Sequence, residues 1–224
     1  MDDSVFDELI IHKPNTYFYD VTKLFSDGEA FSYAIDRMVE ELGDVSDVTK
    51  IVCPAEDTTF AASLAYRLHV GLVILNPYDG LISADGVIEA GDKALIVGTA
   101  LCGGSLYYSM YNLIVERGAE VVGLAFLLEK LFHRGRYKLM DLISQALPYG
   151  VKSVIKYGVT IGNYVRFDCS AHGLGIREFR VLRVMDDEIG INWFDGPTPC
   201  EKIFPNTRII EVSQDKMHWF KYRP

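Results

Sequence analysis

A glycine-rich segment that follows an apolar run has the residue types needed to bind a phosphate group. The run Ala94–Val97 leads into a short loop that closes on Cys102-Gly103-Gly104-Ser105, and a helical pattern follows. A strand, a glycine-rich turn and a helix place backbone N–H groups at a helix N-terminus, where they attract an anion. The glycines let the backbone approach that anion, and Ser105 would add a hydroxyl at the N-cap. The alternative is a plain helix start in an α/β core.

The elements that must position this loop alternate between strands and helices. Short apolar runs suited to buried parallel strands lie at Lys50–Cys53, Gly71–Leu75, Lys93–Val97, Glu120–Leu127 and Val151–Tyr157. Helical spacing predicts helices at Ala30–Leu42, Phe60–Leu68, Ser105–Arg117 and Tyr137–Ala146. This alternation predicts an α/β fold with a parallel, doubly wound sheet. Ligands of such sheets bind at the carboxyl ends of the strands, so residues 53–59 and 98–105 are expected to share a pocket.

The sequence pattern changes after Gly158, because no further helical spacing follows. Five short strand patterns separated by turn residues follow, and they lie at Tyr164–Cys169, Glu178–Met185, Glu188–Phe194, Lys202–Phe204 and Arg208–Val212. They predict a small all-β module, a barrel or a sheet, over residues 159–224, after a first domain over residues 1–158. We expect this module to offer a surface for a protein partner.

The composition restricts the class of protein. The chain has 224 residues, of which 49% are hydrophobic, which is enough for a sizeable core and a smaller module. No apolar run reaches about 18 residues, so no membrane span is predicted. The acidic start and the four scattered cysteines predict a cytoplasmic location. The net charge of −9 lies entirely in residues 1–159, which argues against a nucleic-acid partner.

Several segments resemble the type I phosphoribosyltransferases, and in particular their purine branch. The glycine loop resembles the loop that binds phosphoribosyl diphosphate (PRPP) in that family. Glu129, Phe132 and Gly135-Arg136 resemble a segment of the adenine and xanthine enzymes. The other similar segments lie at residues 12–22 and 118–126. The resemblance extends over about residues 12–157.

The resemblance implies a fold, a ligand and partners. It implies the sheet described above, a nucleotide or another phosphate-bearing small molecule as ligand, Mg²⁺ as the only cofactor, and a homodimer. It also places Phe132 and Arg136 beside the purine, where a ring could stack and a guanidinium could bind the base or a phosphate. The alternative is that Phe132 is a core residue and that Arg136 pairs with an acid at the surface.

The sequence departs from the family at the residues that carry its chemistry. The family has two acidic residues after the strand, which contact the ribose hydroxyls of PRPP, and here Gly98 and Thr99 stand in their places. The loop is one residue shorter, and Cys102 stands where threonine is usual. The interval Pro77–Lys93 is also too short for the mobile loop that shields the reaction from water in the family.

The diphosphate loop of the family is altered as well. In the adenine enzymes a strand ends in Glu-Ala-Arg-Gly, whose amides hold diphosphate, and the matching place here is Pro54–Thr59. The carboxylates of Glu56 and Asp57 would repel a diphosphate unless a metal ion lay between them, so these two residues are the candidate metal ligands. The alternative is that residues 56–58 cap the next helix. The residues predicted to bind a phosphate or nucleotide are Gly98, Thr99, Cys102, Gly103, Gly104, Ser105, Asp57, Thr58 and Thr59.

Three functional hypotheses remain open at this point. The main one is a phosphoribosyltransferase-like protein that binds a nucleotide or phosphate ligand but has lost ordinary transfer, and acts as a regulatory or scaffold pseudoenzyme. The first alternative is an active purine phosphoribosyltransferase, which joins a base to PRPP and releases diphosphate with Mg²⁺ held by Glu56 and Asp57. The second alternative is a structural subunit with an empty pocket.

Overall fold

The chain forms two compact units. The structure is a computed structural model, and it describes residues 4–12, 19–76, 83–133, 135–143, 147–157, 164–168, 176–184, 188–195, 198–205, 209–213 and 220–221. The first unit comprises Met1–Glu129 with Gly135–Ile155, and the second comprises Lys130–Arg134 with Lys156–Pro224. The sequence predicted two domains, residues 1–158 and 159–224. Whether these two segments fold independently stays a prediction.

Strands and helices alternate along the chain as far as residue 157. The helices are α1 (Ser4–Leu9), α2 (Thr22–Ser26), α3 (Gly28–Leu42), α4 (Thr58–Leu68), α5 (Ser105–Glu116) and α6 (Gly135–Leu142). The strands are β1 (Ile11–His12), β2 (Tyr19–Asp20), β3 (Lys50–Pro54), β4 (Gly71–Asn76), β5 (Ser83–Asp85), β6 (Lys93–Leu101), β7 (Glu120–Lys130) and β8 (Gly150–Tyr157). Two short 3-10 helices cover Ala55–Asp57 and Leu131–His133.

The central sheet has six strands in the order β5-β4-β3-β6-β7-β8. Strand β3 pairs in parallel with β4 on one side and with β6 on the other, and β6 pairs in parallel with β7. Strand β5 is antiparallel to β4 at the edge. The predicted α/β fold with a parallel sheet is therefore confirmed. From β3 the chain proceeds to one side of the sheet and from β6 to the other, so the topological switch point lies between β3 and β6.

The core of this sheet consists of apolar residues that face helices on both sides. Ile51, Val52, Leu95, Ile96 and Leu124 are each fully buried. Parallel strands covered on both faces have near-continuous apolar runs, which is why the sequence of these strands does not alternate. In the part of the chain that the structure describes, no helix combines the length and the apolarity needed to cross a membrane.

Helix α3 begins at a capped N-terminus. The carboxylate of Asp27 accepts hydrogen bonds from the backbone N–H groups of Glu29 and Ala30, at 3.1 and 3.0 Å. Replacing Asp27 with alanine should therefore lower the free energy of unfolding by about 1 kcal/mol, because two N–H groups lose their acceptor. Urea unfolding measures the change, and Asp27→Ser should keep most of the stability. Equal losses for alanine and serine would show that the cap contributes nothing.

Strand β6 is four residues longer than the sequence predicts. Its pairing with β3 ends at Val52 opposite Ile96, whereas its pairing with β7 continues to Leu101 opposite Glu129. Gly98 and Thr99, expected in a loop, therefore belong to the strand, and only Cys102–Gly104 remain as the loop. The difference arises because β7 is also longer than predicted and supplies the partner for the extension.

The interval between β4 and β6 contains a strand that the sequence analysis missed. Strand β5 begins at Ser83 and pairs back on β4, so only residues 77–82 connect the two strands. Asp79-Gly80, a dipeptide typical of turns, lies in that connection, outside the described residues. With β5 taking part of the interval, the length left for a mobile loop is smaller still than the sequence suggested.

The second unit is built on β-strands, as predicted, and they form an antiparallel sheet. Its strands are β9 (Tyr164–Asp168), β10 (Ile176–Val184), β11 (Glu188–Asp195), β12 (Thr198–Pro205), β13 (Ile209–Ser213) and β14 (Phe220–Lys221). They lie in the order β12-β11-β10-β9-β13-β14. Strand β12 is longer than the predicted Lys202–Phe204, and β14 was not predicted. The turn residues between these strands, among them residues 173, 186–187 and 196–197, lie outside the described residues. The last part, 144–146, of the helix predicted before β8 lies outside them as well.

Candidate functional site

Two segments meet at the switch point of the sheet. Strand β3 ends at Pro54 and continues through the 3-10 helix Ala55–Asp57 into α4, and β6 ends at Leu101 and continues through the loop Cys102–Gly104 into α5. Because β3 and β6 are parallel, both segments leave the same edge of the sheet. The two segments that were expected to share a pocket therefore lie side by side, and the pocket itself stays a prediction.

A buried carboxyl group connects these halves. Asp57 is only 7% exposed, and its carboxylate accepts hydrogen bonds from the backbone N–H and the hydroxyl of Thr99. The Tyr107 hydroxyl, on the first turn of α5, donates to Asp57 Oδ2 at 3.1 Å and lies 3.2 Å from the carbonyl oxygen of Ala100. Three elements, β3, β6 and α5, are thus joined through one side chain.

Burial dominates the electrostatics of this cluster. It raises the pKa of Asp57, because the carboxylate loses water, and the hydrogen bonds from Thr99 and Tyr107 act in the opposite direction. Burial also raises the pKa of Tyr107 well above its usual value, so the phenol stays protonated and acts as a donor. At the end of β3, burial raises the pKa of the Cys53 thiol to about 12, which makes it an inert thiol.

The alternative that residues 56–58 merely cap α4 is wrong for Asp57. This residue occupies the N-cap position, but its side chain makes no capping hydrogen bond because it is turned towards Thr99 and Tyr107. The Thr58 hydroxyl donates to the carbonyl oxygen of Ala55 at 2.7 Å. Thr58 is partly buried, whereas Thr59 is exposed. Thr59 is therefore the more accessible of the two predicted phosphate ligands on α4.

The predicted metal ligands Glu56 and Asp57 occupy different environments. Glu56 is exposed, while Asp57 is buried and its carboxylate is already engaged by Thr99 and Tyr107. Among the residues that the structure describes, no cluster of three or more His, Cys, Asp or Glu side chains is placed to bind a metal ion. Asp57 therefore does not fit a magnesium ligand. Glu56 does fit, because Mg²⁺ is commonly held by one or two carboxylates together with substrate phosphates.

The glycine loop leads into a helix that lacks a side-chain cap. Gly104, with φ +84°, is the N-cap of α5, and Ser105, predicted at the N-cap, is the first helical residue instead. No described side chain caps the first N–H groups of this helix. Gly103 and Ser105 are exposed, Cys102 is partly exposed and Gly104 is buried. An uncapped helix N-terminus with exposed residues beside it is suited to binding an anion.

The glycines in the loop and at the start of α6 differ in how closely other atoms approach them. A Cβ atom at Gly104 would lie 2.9 Å from Leu139 Cγ, and one at Gly135 would lie 1.9 Å from the carbonyl oxygen of Cys102. Gly104 and Gly135 thus let α6 pack directly on the loop. Around Gly103, by contrast, the described residues leave space for a Cβ atom, with no heavy atom within 4 Å. Gly103 alone is consistent with an open approach to a ligand.

Arg136 belongs to a buried ion pair. Its Nε lies 3.0 and 3.2 Å from the two carboxylate oxygens of Glu129, and its guanidinium also donates to Ser153 Oγ at 3.2 Å and to the carbonyl oxygen of Val151. Ser153 in turn donates to Glu129 Oε2 at 2.9 Å. Glu129 is 2% exposed, so the acid that pairs with Arg136 lies in the interior rather than at the surface.

The assignment of Phe132 and Arg136 to the base stays a prediction. The contacts of Arg136 fasten α6 to β7 and β8 and use donors on all three guanidinium nitrogens. Phe132 lies in the 3-10 helix Leu131–His133, and its side chain is outside the described residues.

Sequence reasoning did not single out Tyr107 or Ser153, and it gave Asp57 a different role. Tyr107 is the third residue of the predicted helix Ser105–Arg117, and its position alone did not mark it as a site residue. A usable signal was the glycine at position 98, because a strand glycine often marks a close approach of another group.

A groove lies away from this site. It has a volume of about 530 Å³ between α3 and α4 and is lined by Ile35, Ala62 and the exposed Tyr66, with the ion pair of Arg67 and Asp36 at 3.1 Å. Its lining includes none of the residues predicted to bind a ligand.

The fold and the site define a class of protein. A parallel sheet with a glycine loop and an uncapped helix at its switch point is typical of α/β proteins that bind nucleotides or phosphates. No protein-family model matches the sequence. Two curated relatives are the adenine phosphoribosyltransferases of Desulforamulus reducens, 36% identical over 146 residues, and of Clostridium botulinum, 32% identical over 167 residues. The matches cover 57% and 66% of this chain, and 84% and 92% of the relatives.

Solved structures agree with these relatives. Adenine phosphoribosyltransferase from Thermoanaerobacter pseudethanolicus matches with a TM-score of 0.58 and 27% identity, over 69% of this chain and 99% of that one. The Giardia lamblia enzyme complexed with 9-deazaadenine matches with a TM-score of 0.61 over 70% of this chain and 99% of that one, and at 19% identity this shows the fold alone. The chain therefore belongs to the adenine phosphoribosyltransferase family, in the purine branch of the type I phosphoribosyltransferases. These matches leave about a third of the chain without a counterpart.

Proposed function

We propose that this chain transfers a phosphoribosyl group between PRPP and a purine base. The relatives that support the proposal carry this activity in their names and are matched over most of their length. The observation that carries it is the switch-point site, where the buried Asp57 carboxyl group and the uncapped N-terminus of α5 lie at the ends of neighbouring strands. Loss of transfer was the main hypothesis from the sequence, and the relatives favour the active alternative instead.

The proposed reaction assigns different tasks to the two halves of the site. The bond between ribose C1′ and the diphosphate oxygen breaks, its electrons leave with the diphosphate, and a purine nitrogen forms the new bond to C1′ and loses its proton to water. Gly103, Ser105 and the first N–H groups of α5 would bind the 5′-phosphate. A carboxylate at Asp57 would stabilise the positive charge that develops on the ribosyl group.

The remaining phosphate contacts are proposed for the start of α4. Thr59 is exposed there, and Glu56 is the accessible carboxylate beside it. Magnesium, when bound, would neutralise charge on the diphosphate leaving group. Glu56 would hold it in part, while Asp57 would stay with Thr99 and Tyr107.

A second candidate function is nucleotide binding without transfer. It is favoured by the residues on β6, since neither Gly98 nor Thr99 can offer the carboxylate that the family uses. It is also favoured by the hydrogen bonds to Asp57, which already engage most of its acceptor capacity. In that case the chain would act as a regulatory or scaffold protein that senses a purine nucleotide.

The two candidate functions predict different results in an assay of phosphoribosyl transfer. The purified chain is incubated with adenine, PRPP and Mg²⁺, and the formation of AMP and diphosphate is followed. In parallel, calorimetry measures the binding of AMP and PRPP. Formation of AMP supports the proposal, and binding of AMP without turnover supports the second candidate. No binding and no turnover would contradict both and leave a structural subunit with an empty pocket.

A charge at Gly103 should separate phosphate binding from folding. Gly103→Asp is expected to weaken AMP binding at least about tenfold, because its carboxylate would stand beside the bound phosphate. The chain should fold normally, since space for a Cβ atom exists there. Gly103→Asn is the matched control, with nearly the same volume and no charge. Equal losses in both variants, or a loss in neither, would argue against a phosphate at this loop.

Three expectations about partners and location are kept as proposals. These are a homodimer, a protein partner that contacts the C-terminal all-β module, and a cytoplasmic location. Light scattering on the purified chain would test the first directly.

A further inference from the structure

The backbone at Gly98 touches the tip of a tyrosine ring. A Cβ atom at position 98 would lie 2.3 Å from the Tyr107 hydroxyl oxygen and 2.7 and 2.8 Å from its Cζ and Cε1 atoms. Real Cβ atoms essentially never approach other heavy atoms so closely, so no residue with a side chain fits unless the ring moves. The phenol thus fills the space into which the first side-chain atom of residue 98 would project.

The Tyr107 ring is held in this place by several contacts. It is 6% exposed, and it packs edge-on against Phe126 with a distance of 4.7 Å between ring centroids. Its hydroxyl is fixed between Asp57 Oδ2 and the carbonyl oxygen of Ala100. Moving the ring away from Gly98 would break these hydrogen bonds and leave the buried Asp57 with fewer donors, which is costly.

The same hydroxyl connects residue 98 to the carboxyl group of the site. The Asp57 carboxylate accepts hydrogen bonds from Thr99, the neighbour of Gly98, and from the Tyr107 hydroxyl. The carboxyl group at the switch point is therefore supplied by Asp57, in the 3-10 helix that follows β3, next to a strand β6 that carries none at positions 98 and 99.

We propose that Tyr107 is a positioning residue that determines which strand supplies the carboxylate of the site, because its phenol excludes a side chain at Gly98 and holds Asp57 in place. This inference rests on the proposed function for its consequence on transfer, but its packing part stands independently. In this arrangement Gly98, Tyr107 and Asp57 form one unit, so the effect of replacing one member depends on which residues stand at the other two positions.

A stability cycle tests the packing part. Gly98→Ala is expected to raise the equilibrium constant for unfolding at least about tenfold in the natural chain, since the ring cannot give way. In a chain that carries Tyr107→Leu, which removes the ring tip, the same substitution should change that constant no more than about twofold. Urea unfolding measures all four chains. Equal effects of Gly98→Ala in both backgrounds would overturn the inference.

A kinetic cycle tests the positioning part. Tyr107→Phe keeps the ring and removes only the hydroxyl, and it should lower kcat about tenfold, the usual size for a lost hydrogen bond to a charged group, with the KM for adenine unchanged. In a chain that already carries Asp57→Asn, Tyr107→Phe should produce no further fall, because it acts through Asp57. A further fall of the same size would show that Tyr107 acts independently and would overturn the positioning role.

The two cycles also distinguish this inference from the proposed function. If the natural chain forms no nucleotide from any purine base, the proposed function fails, and the stability cycle still decides whether Tyr107 excludes a side chain at Gly98. If the natural chain is active and Gly98→Ala is tolerated without loss of stability, the proposed function stands and this inference fails.

Discussion

Replacing Arg136 with methionine is expected to lower the free energy of unfolding by about 3–5 kcal/mol. The substitution leaves the Glu129 carboxylate, which is 2% exposed, without the guanidinium that pairs with it. It also removes the donor that the carbonyl oxygen of Val151 accepts from. A buried charge without a partner is among the most destabilising changes available in this chain. Urea unfolding at neutral pH, followed by circular dichroism, measures the loss.

Two control variants separate the loss of the buried ion pair from the loss of the arginine side chain alone. Arg67→Met removes the same side chain from an exposed ion pair, with Asp36 at 3.1 Å, and should cost no more than about 1 kcal/mol. Adding Glu129→Gln to Arg136→Met removes the unpaired charge and should recover part of the stability. A double variant less stable than Arg136→Met alone would show that the charge of Glu129 is not the cause.

Replacing Gly135 with alanine should destabilise the chain by about 2–3 kcal/mol. Alanine is a better helix former than glycine by about 1 kcal/mol, so helix propensity alone predicts a gain at the start of α6. The added Cβ atom would however lie 1.9 Å from the backbone carbonyl oxygen of Cys102, and a backbone atom cannot rotate away. The sign of the measured change therefore decides between propensity and packing.

The matched control is a glycine of the loop Cys102–Gly104, on which Gly135 packs. Gly103→Ala adds the same atom where the described residues leave space, and its stability should stay within about 0.5 kcal/mol of the natural chain. If Gly135→Ala proved as stable as Gly103→Ala, the close contact between α6 and the loop would be contradicted. Binding of AMP should fall with Gly135→Ala, because the loop must move to accommodate it.

The sequence predicted the sheet well because one physical cause determines most of it. Strands covered on both faces must be apolar throughout, and the runs Lys50–Cys53 and Lys93–Val97 show this directly. Their ends were less predictable, since β6 continues as far as Leu101 only because β7 continues beside it. Such an extension depends on a pairing partner distant in the chain, and local patterns carry no information about it.

The sequence predicted where the candidate site lies, but it predicted only some of the contacts that its residues make. The carboxyl ends of β3 and β6 could be identified from the order of strands and glycines. The direction of the Asp57 side chain could not, because an acid before a helix ordinarily caps it, and here two donors from other elements outcompete that role. Likewise, the glycine at 104 matched the pattern of a phosphate loop, while its nearest contacts are Leu139 and Gly135 of α6.

The close packing at Gly98 also constrains how this chain could have changed over time. While Tyr107 stays, an acidic residue does not fit at position 98 by a single substitution, because its first side-chain atom would lie 2.3 Å from the phenol oxygen. Shrinking Tyr107 first would open a cavity beside Phe126 and destabilise the fold before any benefit appeared. Both orders of substitution pass through a less stable intermediate, so a larger residue at position 98 and a smaller one at position 107 can be combined only at a transient cost in stability.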